Sequence, residues 1–283
     1  MSRVLDRLLE LDTVGDDEFR GPSQDLGWGT VFGGQVLGQA LWAATQTVDA
    51  GRDAHSLHAY FLRPGDPSRP VNYRVERTRD GASFSTREVR ASQGGPPIFC
   101  MAASFQRPEL GLEHQAAMPE VPGPEGLASF EELARRFLEL APEPLRSSLD
   151  IEHPFEIRPV EEFNPFSPRA AAPVAHAWLR STGPLPGDDR VHRCLLAYAS
   201  DFALLDTALV PHGRSYWQGD LRVASIDHAM WFHRSFRADE WLLYAMESPT
   251  TSGSRGLVRG QLFDRSGRLV ASTAQEGMIR DLR

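Results

Sequence analysis

Lysine is missing from this 283-residue chain, and all 30 of its basic residues are arginines. That excludes a lysine Schiff base and a phosphate loop built on lysine. Cysteine is scarce too: Cys100 and Cys194 are the only two, and both sit in apolar runs. Such thiols read as buried and reduced, in a cytoplasmic protein, and not as a disulfide framework. No stretch approaches the roughly 18 consecutive apolar residues of a membrane span. Met1 to Arg7 carry no apolar secretory core, and the ending Arg280-Asp281-Leu282-Arg283 is neither an ER nor a peroxisomal address. Positive charge is in deficit, with a formal net charge of −8, which argues against a nucleic-acid partner. His55 with His58, and His228 with His233, fit no zinc spacing and have no cysteine pair beside them, so no metal or other cofactor is expected. Neither a G-x-S-x-G elbow nor a G-x-G-x-x-G dinucleotide loop occurs.

What is present is a long internal repeat. Phe61-Leu62-Arg63-Pro64, Tyr73, the turn Asp80-Gly81 and Ser104-Phe105-Gln106 return as Phe232-His233-Arg234-Ser235, Tyr244, the turn Ser266-Gly267 and Thr273-Ala274-Gln275. Phe61 to Phe232 and Tyr73 to Tyr244 are each 171 apart, and Gln106 to Gln275 is 169. A period this long is not a solenoid unit; it implies two copies of one α+β module in tandem. Each copy opens with a helix that has no polar face and is therefore buried, the first over 33–44 and the second over 194–205. Strands follow. Val71, Tyr73 and Val75 alternate with Asn72, Arg74 and Glu76 as in a half-exposed strand, and Asp80-Gly81 marks a hairpin. Residues 98–103 are apolar on both faces and predict a central strand; 241–246 and 269–274 take the matching parts in the second copy, with a hairpin at Asp264-Arg265-Ser266-Gly267. Val4, Leu5, Leu8, Leu9 and Leu11 predict a short amphipathic helix at the start. Eleven prolines break the stretch 107–173, Pro142, Pro144 and Pro165 among them, around one helix near Phe130 to Leu140. The expected division is a module over 1–106, a linker over 107–173 and a second module over 174–283.

The copies differ where chemistry is possible. Asp201 reads as a mid-helix acid among Tyr198, Phe202, Leu204 and Leu205, while the first buried helix offers only Gln35 and Gln39. A buried carboxylate must be hydrogen-bonded or near water. Asp206 is a rival better suited to a helix-terminal polar role. Gln275, the counterpart of Gln106, follows an apolar strand, where a neutral donor can hold a water or polarise a carbonyl. Ser225 precedes Ile226-Asp227-His228, but Asp227 and His228 are successive strand residues and face apart, so a Ser-His-Asp triad is not expected. A hydroxyl that positions water fits Ser225 better than a covalent nucleophile. His58 and His228 read as core or interface histidines that satisfy local hydrogen bonds. Val31-Phe32-Gly33-Gly34-Gln35 opens a helix whose free N–H groups and dipole suit an oxyanion or phosphate.

The run Val31-Phe32-Gly33-Gly34-Gln35-Val36-Leu37-Gly38-Gln39-Ala40-Leu41 resembles the opening helix of the acyl-CoA thioesterase II family, the TesB-like proteins. The resemblance continues through 57–66, 79–84, Ser104-Phe105-Gln106, 225–234 and Gln275-Glu276-Gly277, in order and in both copies. It implies a double hotdog fold, two antiparallel sheets each wrapping a buried helix. It also implies hydrolysis of fatty acyl-CoA thioesters by an Asp, a Ser or Thr, and a Gln, which fall on Asp201, Ser225 and Gln275. Gly33, Gly34, Gln35, His58, Arg63 and Arg234 are the expected substrate contacts, and Arg87 and Arg255 are further candidates for the CoA phosphates. A homodimer or homotetramer is expected. Two other readings stay open: an enoyl-CoA hydratase or dehydratase of the same fold, and a non-catalytic acyl-CoA-binding module.

Overall fold

The computed structural model of the chain describes residues 7–137, 153–161, 164 and 166–282. Val4 and Leu5 of the expected first helix, and Leu140, Pro142, Pro144 and Pro165 of the middle stretch, lie outside them.

The strands are β1 (Asp12–Gly15), β2 (Glu18–Gly21), β3 (Asp53–Phe61), β4 (Val71–Asp80), β5 (Phe84–Ser92), β6 (Phe99–Gln106), β7 (Phe155–Pro159), β8 (Val174–Ser181), β9 (Leu221–Ser225), β10 (Asp227–Phe232), β11 (Leu242–Ser252), β12 (Arg255–Asp264) and β13 (Leu269–Asp281). The helices are α1 (Gly33–Thr45), α2 (Phe130–Phe137) and α3 (Asp189–Ala199), followed by short 3₁₀ turns over Leu205–Ala208, Val210–His212 and Tyr216–Gln218. All strands join one antiparallel sheet in the order β1-β2-β4-β5-β6-β3-β10-β13-β12-β11-β8-β7, with β9 on the far part of β13. Read outward from the β3–β10 seam, the two halves repeat the same strand arrangement. This is the tandem α+β arrangement that the repeat implies, in the double hotdog form that the resemblance implies.

The local reasons are legible in the residues. In β4, Val71, Tyr73 and Val75 are buried while their neighbours are not, as strand alternation requires. In α1 every residue except Gly33 and Trp42 is buried, and in α3 every residue from His192 to Ala199. Glycine lets the two helices touch: a Cβ on Gly38 would lie 2.9 Å from the Cys194 carbonyl oxygen. In the β12–β13 hairpin, Asp264 accepts from the Ser266 and Arg268 N–H groups, and Gly267 takes the left-handed conformation at φ 84°.

Four expectations are corrected. The second buried helix spans Asp189–Ala199 and ends before Asp201, because Ala203 takes a left-handed φ of 60° and the chain continues in 3₁₀ turns. Gln275 stands mid-strand, since β13 runs on past it to pair with β9. Strand β6 is apolar in composition but buried on one face only; Ala102 is exposed and Cys100 half-buried. The stretch 107–173 contributes a sheet strand, β7, which pairs with β8.

Candidate active site

Three elements from two halves of the chain meet at Asp201. Helix α1 starts at Gly33 after Phe32, which offers no side-chain cap. The first N–H groups of a helix need partners from outside it. Asp201, two residues beyond the end of α3, supplies one by accepting the Gly34 N–H. Strand β13 brings Gln275, and the end of β9 brings Ser225. At Ile226, which donates its N–H to the Glu276 carbonyl, the chain passes from β9 into β10, which holds Ser225 across from Gly277.

The side chains form a closed set. Gln275 Nε2 donates to Asp201 Oδ1 at 2.6 Å and to Ser225 Oγ at 2.8 Å. Ser225 Oγ donates to Asp201 Oδ1 at a longer 3.4 Å. Gln275 is fully buried, and its Oε1 has no protein partner among the described residues. The set has little slack: a Cβ on Gly33 would lie 2.6 Å from Asp201 Oδ2, and one on Gly34 would overlap the Tyr198 carbonyl oxygen. Apolar rings flank it. Phe202, next in sequence, stacks on Phe32 with ring centres 4.3 Å apart, and Trp28 meets Phe32 edge-on at 5.2 Å.

Burial dominates the electrostatics. It raises the Asp201 carboxyl from 3.8 to about 6, against the opposing hydrogen bonds from Gln275, the Gly34 N–H and Ser225. A carboxyl so tuned is ionised at neutral pH yet basic enough to take a proton. Asp206, in the following 3₁₀ turn, is raised to about 7 by burial and then by the charge of Asp201.

Of the residues singled out in the sequence, Asp201, Ser225, Gln275, Gly33 and Gly34 are brought together. Gln35 is not: it ties down the preceding loop, donating to the Pro22 carbonyl and accepting from the Gln24 N–H. His58 faces the other side of the sheet, packed edge-on against Trp231, because it alternates with the inward Leu57 and Ala59. Arg63 donates to the Pro97 carbonyl; Arg234 donates to that of Leu269 and lies 3.7 Å from Glu113; Arg255 pairs with Glu276. Arg87 is buried in the first half, where it donates to Thr47 and Asp80. Asp227 and His228 face apart, as alternation requires, with only His228 fully buried. Among the described residues no three His, Cys, Asp or Glu side chains gather as metal ligands, and no helix is long and apolar enough to cross a membrane.

The ladders also correct the counterpart of Gln275. Phe61 faces Phe99 and Phe232 faces Ala271, so Gln275 corresponds to Ala103, not Gln106. The strand neighbour of Ala103 is the inward Arg87, where Gln275 has Val258. The first half therefore carries alanine at this position, with a buried guanidinium beside it. The signal was available: Arg87 shares the parity of Val89 and Ala91 on β5.

Residues 144–278 match the family described as acyl-CoA thioesterase, and residues 22–106 match its N-terminal domain. The chain is 44% identical to acyl-CoA thioesterase 2 of Haemophilus influenzae over 99% of both chains. It is also 44% identical to acyl-coenzyme A thioesterase 8 of Homo sapiens, over 99% of this chain and 89% of that one. Among solved structures, acyl-CoA thioesterase II TesB2 from Mycobacterium marinum superposes with a TM-score of 0.80 at 42% identity, covering 98% of each chain.

Proposed function

The chain belongs to the acyl-CoA thioesterase family, and from that premise we propose that it hydrolyses fatty acyl-CoA thioesters with Asp201 as general base. The observation that carries the reading is the Asp201–Gln275–Ser225 set, a carboxylate whose proton affinity is raised by burial and whose orientation is held by two neutral side-chain donors and the Gly34 N–H. A water sits between Asp201 and the free acceptor Gln275 Oε1, with the Ser225 hydroxyl completing its orientation. The water oxygen attacks the thioester carbonyl carbon while Asp201 takes its proton. The resulting oxyanion lies toward the N-terminus of α1, where the helix dipole favours negative charge. Collapse of the tetrahedral species breaks the C–S bond. CoA leaves as a thiolate, which takes the proton held by Asp201, and the fatty acid is released. No acyl-enzyme forms. A positioned base contributes about 10²–10⁴-fold to such a step.

The substrate is an acyl-CoA, and no cofactor takes part. The reading supports one site per chain, built between the halves: Gly33 and Gly34 come from the first, Asp201, Ser225 and Gln275 from the second. The first half, with Ala103 and Arg87 where a second glutamine would be needed, serves packing and wall. The protein acts as a homodimer or homotetramer through the outward face of the central strands, where Tyr60 and Trp231 stand exposed. The test is thiol release from a series of short to long straight-chain acyl-CoAs, followed with a thiol reagent, against loss of enoyl absorbance from an enoyl-CoA. Thiol release with the enoyl chromophore untouched supports the reading; the converse transfers the protein to hydration chemistry.

A further inference from the structure

We propose that His228 is a positioning residue for Asp201, holding through Ser200 the turn that aims the carboxylate at Gln275 and Ser225. The inference rests on the reading of Asp201 as the base. Ser200 caps the C-terminus of α3 and directly precedes Asp201, so the position of Ser200 sets that of the carboxylate. It is fully buried, and both its hydroxyl and its carbonyl are gripped. Its hydroxyl donates to the Ala197 carbonyl at 2.9 Å and faces His228 Nε2 at 3.0 Å. With its own hydrogen committed, Ser200 Oγ accepts from His228, which assigns the imidazole proton to Nε2. Its carbonyl oxygen accepts from the Tyr244 hydroxyl at 3.0 Å, and that hydroxyl is tied to Thr273 Oγ1 at 2.8 Å.

One grip comes from the β9–β10 run that carries Ser225; the other, Tyr244 on β11, is tied through Thr273 to β13, which carries Gln275. His228 stands three residues after Ser225. Thr273 stands two residues before Gln275, on the same face of β13. Ser200 is thus the common reference for all three members of the set. A displacement of about 1 Å in such a set costs on the order of 10²-fold in rate.

Stability does not account for the imidazole. His228 is fully buried, and its Nδ1 has no protein partner among the described residues. A buried acceptor without a partner is destabilising, and an apolar side chain of similar size would avoid that cost. Burial also lowers its pKa to about 3, so the ring is neutral and the Nε2–H donor is constant across the working pH range.

The test compares His228→Leu, His228→Gln and Ser200→Ala with the wild-type chain, reading kcat and KM by thiol release and Tm by thermal unfolding. His228→Leu is expected to lower kcat about 10–100-fold, with KM changed by less than about threefold and Tm unchanged or raised. His228→Gln, whose amide nitrogen takes the place of Nε2, restores most of kcat. Ser200→Ala lowers kcat to a similar degree, and the His228→Leu/Ser200→Ala double variant is no slower than the slower single variant. A wild-type kcat in His228→Leu or in Ser200→Ala overturns the proposal; the second holds even if the first does not fold. So does a loss in His228→Leu that tracks a fall in Tm and is not relieved by glutamine. Asp201→Asn distinguishes the two readings: if it keeps wild-type turnover, the assignment of the base has failed, whatever His228 does.

Discussion

Replacing Asp201 by asparagine separates catalysis from stability, because the two are predicted to move in opposite directions. The amide keeps the shape of the side chain and an oxygen to accept from Gln275, but it cannot take a proton from water. The loss of a general base of about 10²–10⁴-fold corresponds to about 3–5 kcal/mol of transition-state stabilisation. KM should change little, because the carboxylate acts on the water and not on the bound thioester. Stability should rise. Burial lifts the Asp201 pKa from 3.8 to about 6, so at pH 7 the native state holds an ionised group that the unfolded state solvates better. At 1.36 kcal/mol per unit this costs on the order of 2–3 kcal/mol, or about 4–10 °C in Tm for a chain of this size. A group with a raised native pKa favours folding fully below its unfolded value and loses that advantage as pH rises through its native value. The gain from asparagine is therefore largest above about pH 6 and vanishes near pH 4. Steady-state thiol release and thermal unfolding at pH 7 and pH 4 measure both arms. Turnover within about tenfold of wild type, or a Tm that falls with activity, refutes the reasoning.

Further outcomes follow from the same geometry. The profile of kcat/KM against pH should fall on the acid side with an apparent pKa near 6 and lose about tenfold per unit below it; Asp206→Asn should leave that limb in place, and a limb that moved would assign the lower step to Asp206. Gly33→Ala would favour a free helix but here sets a Cβ 2.6 Å from Asp201 Oδ2, so kcat/KM should drop by about 10²-fold or more. Ser225→Ala removes one of the three donors that orient Asp201 and should slow turnover by about 10–100-fold without abolishing it; mass spectrometry of quenched wild-type turnover should find no acylated Ser225, and an acyl-Ser225 peptide would sink direct attack by water.

The legible parts of this fold are those set by local pattern. Alternation at Val71, Tyr73 and Val75 marks β4, unbroken apolar composition marks α1, and Asp264 to Gly267 mark a hairpin. The misread parts depend on tertiary partners. Apolar residues continue past Ala199 into Phe202, Leu204 and Leu205, which disguised the end of α3; the break comes from the left-handed Ala203 and from packing of the 3₁₀ turns on the sheet. The length of β13 is set along one edge by two partners, β10 and then β9, that lie far back in the sequence, and no local pattern around Gln275 marks that extension. His58 was readable as outward from its parity with Leu57. The seam that gives its face a neighbour, β3 against β10, is a pairing no local pattern specifies. The Asp201–Ser225–Gln275 set spans 74 residues between its furthest members, and its hydrogen bonds appear only once α3, β9 and β13 converge.

The central claim is that water, activated by Asp201, attacks the thioester itself. A single turnover with enzyme in excess over a straight-chain acyl-CoA, run in H2¹⁸O, tests it most directly. The account predicts one ¹⁸O in the carboxyl group of the first fatty acid released and none in the peptide containing Asp201. Label in the Asp201 carboxyl, with unlabelled fatty acid from that first turnover, would make Asp201 a nucleophile and contradict the account.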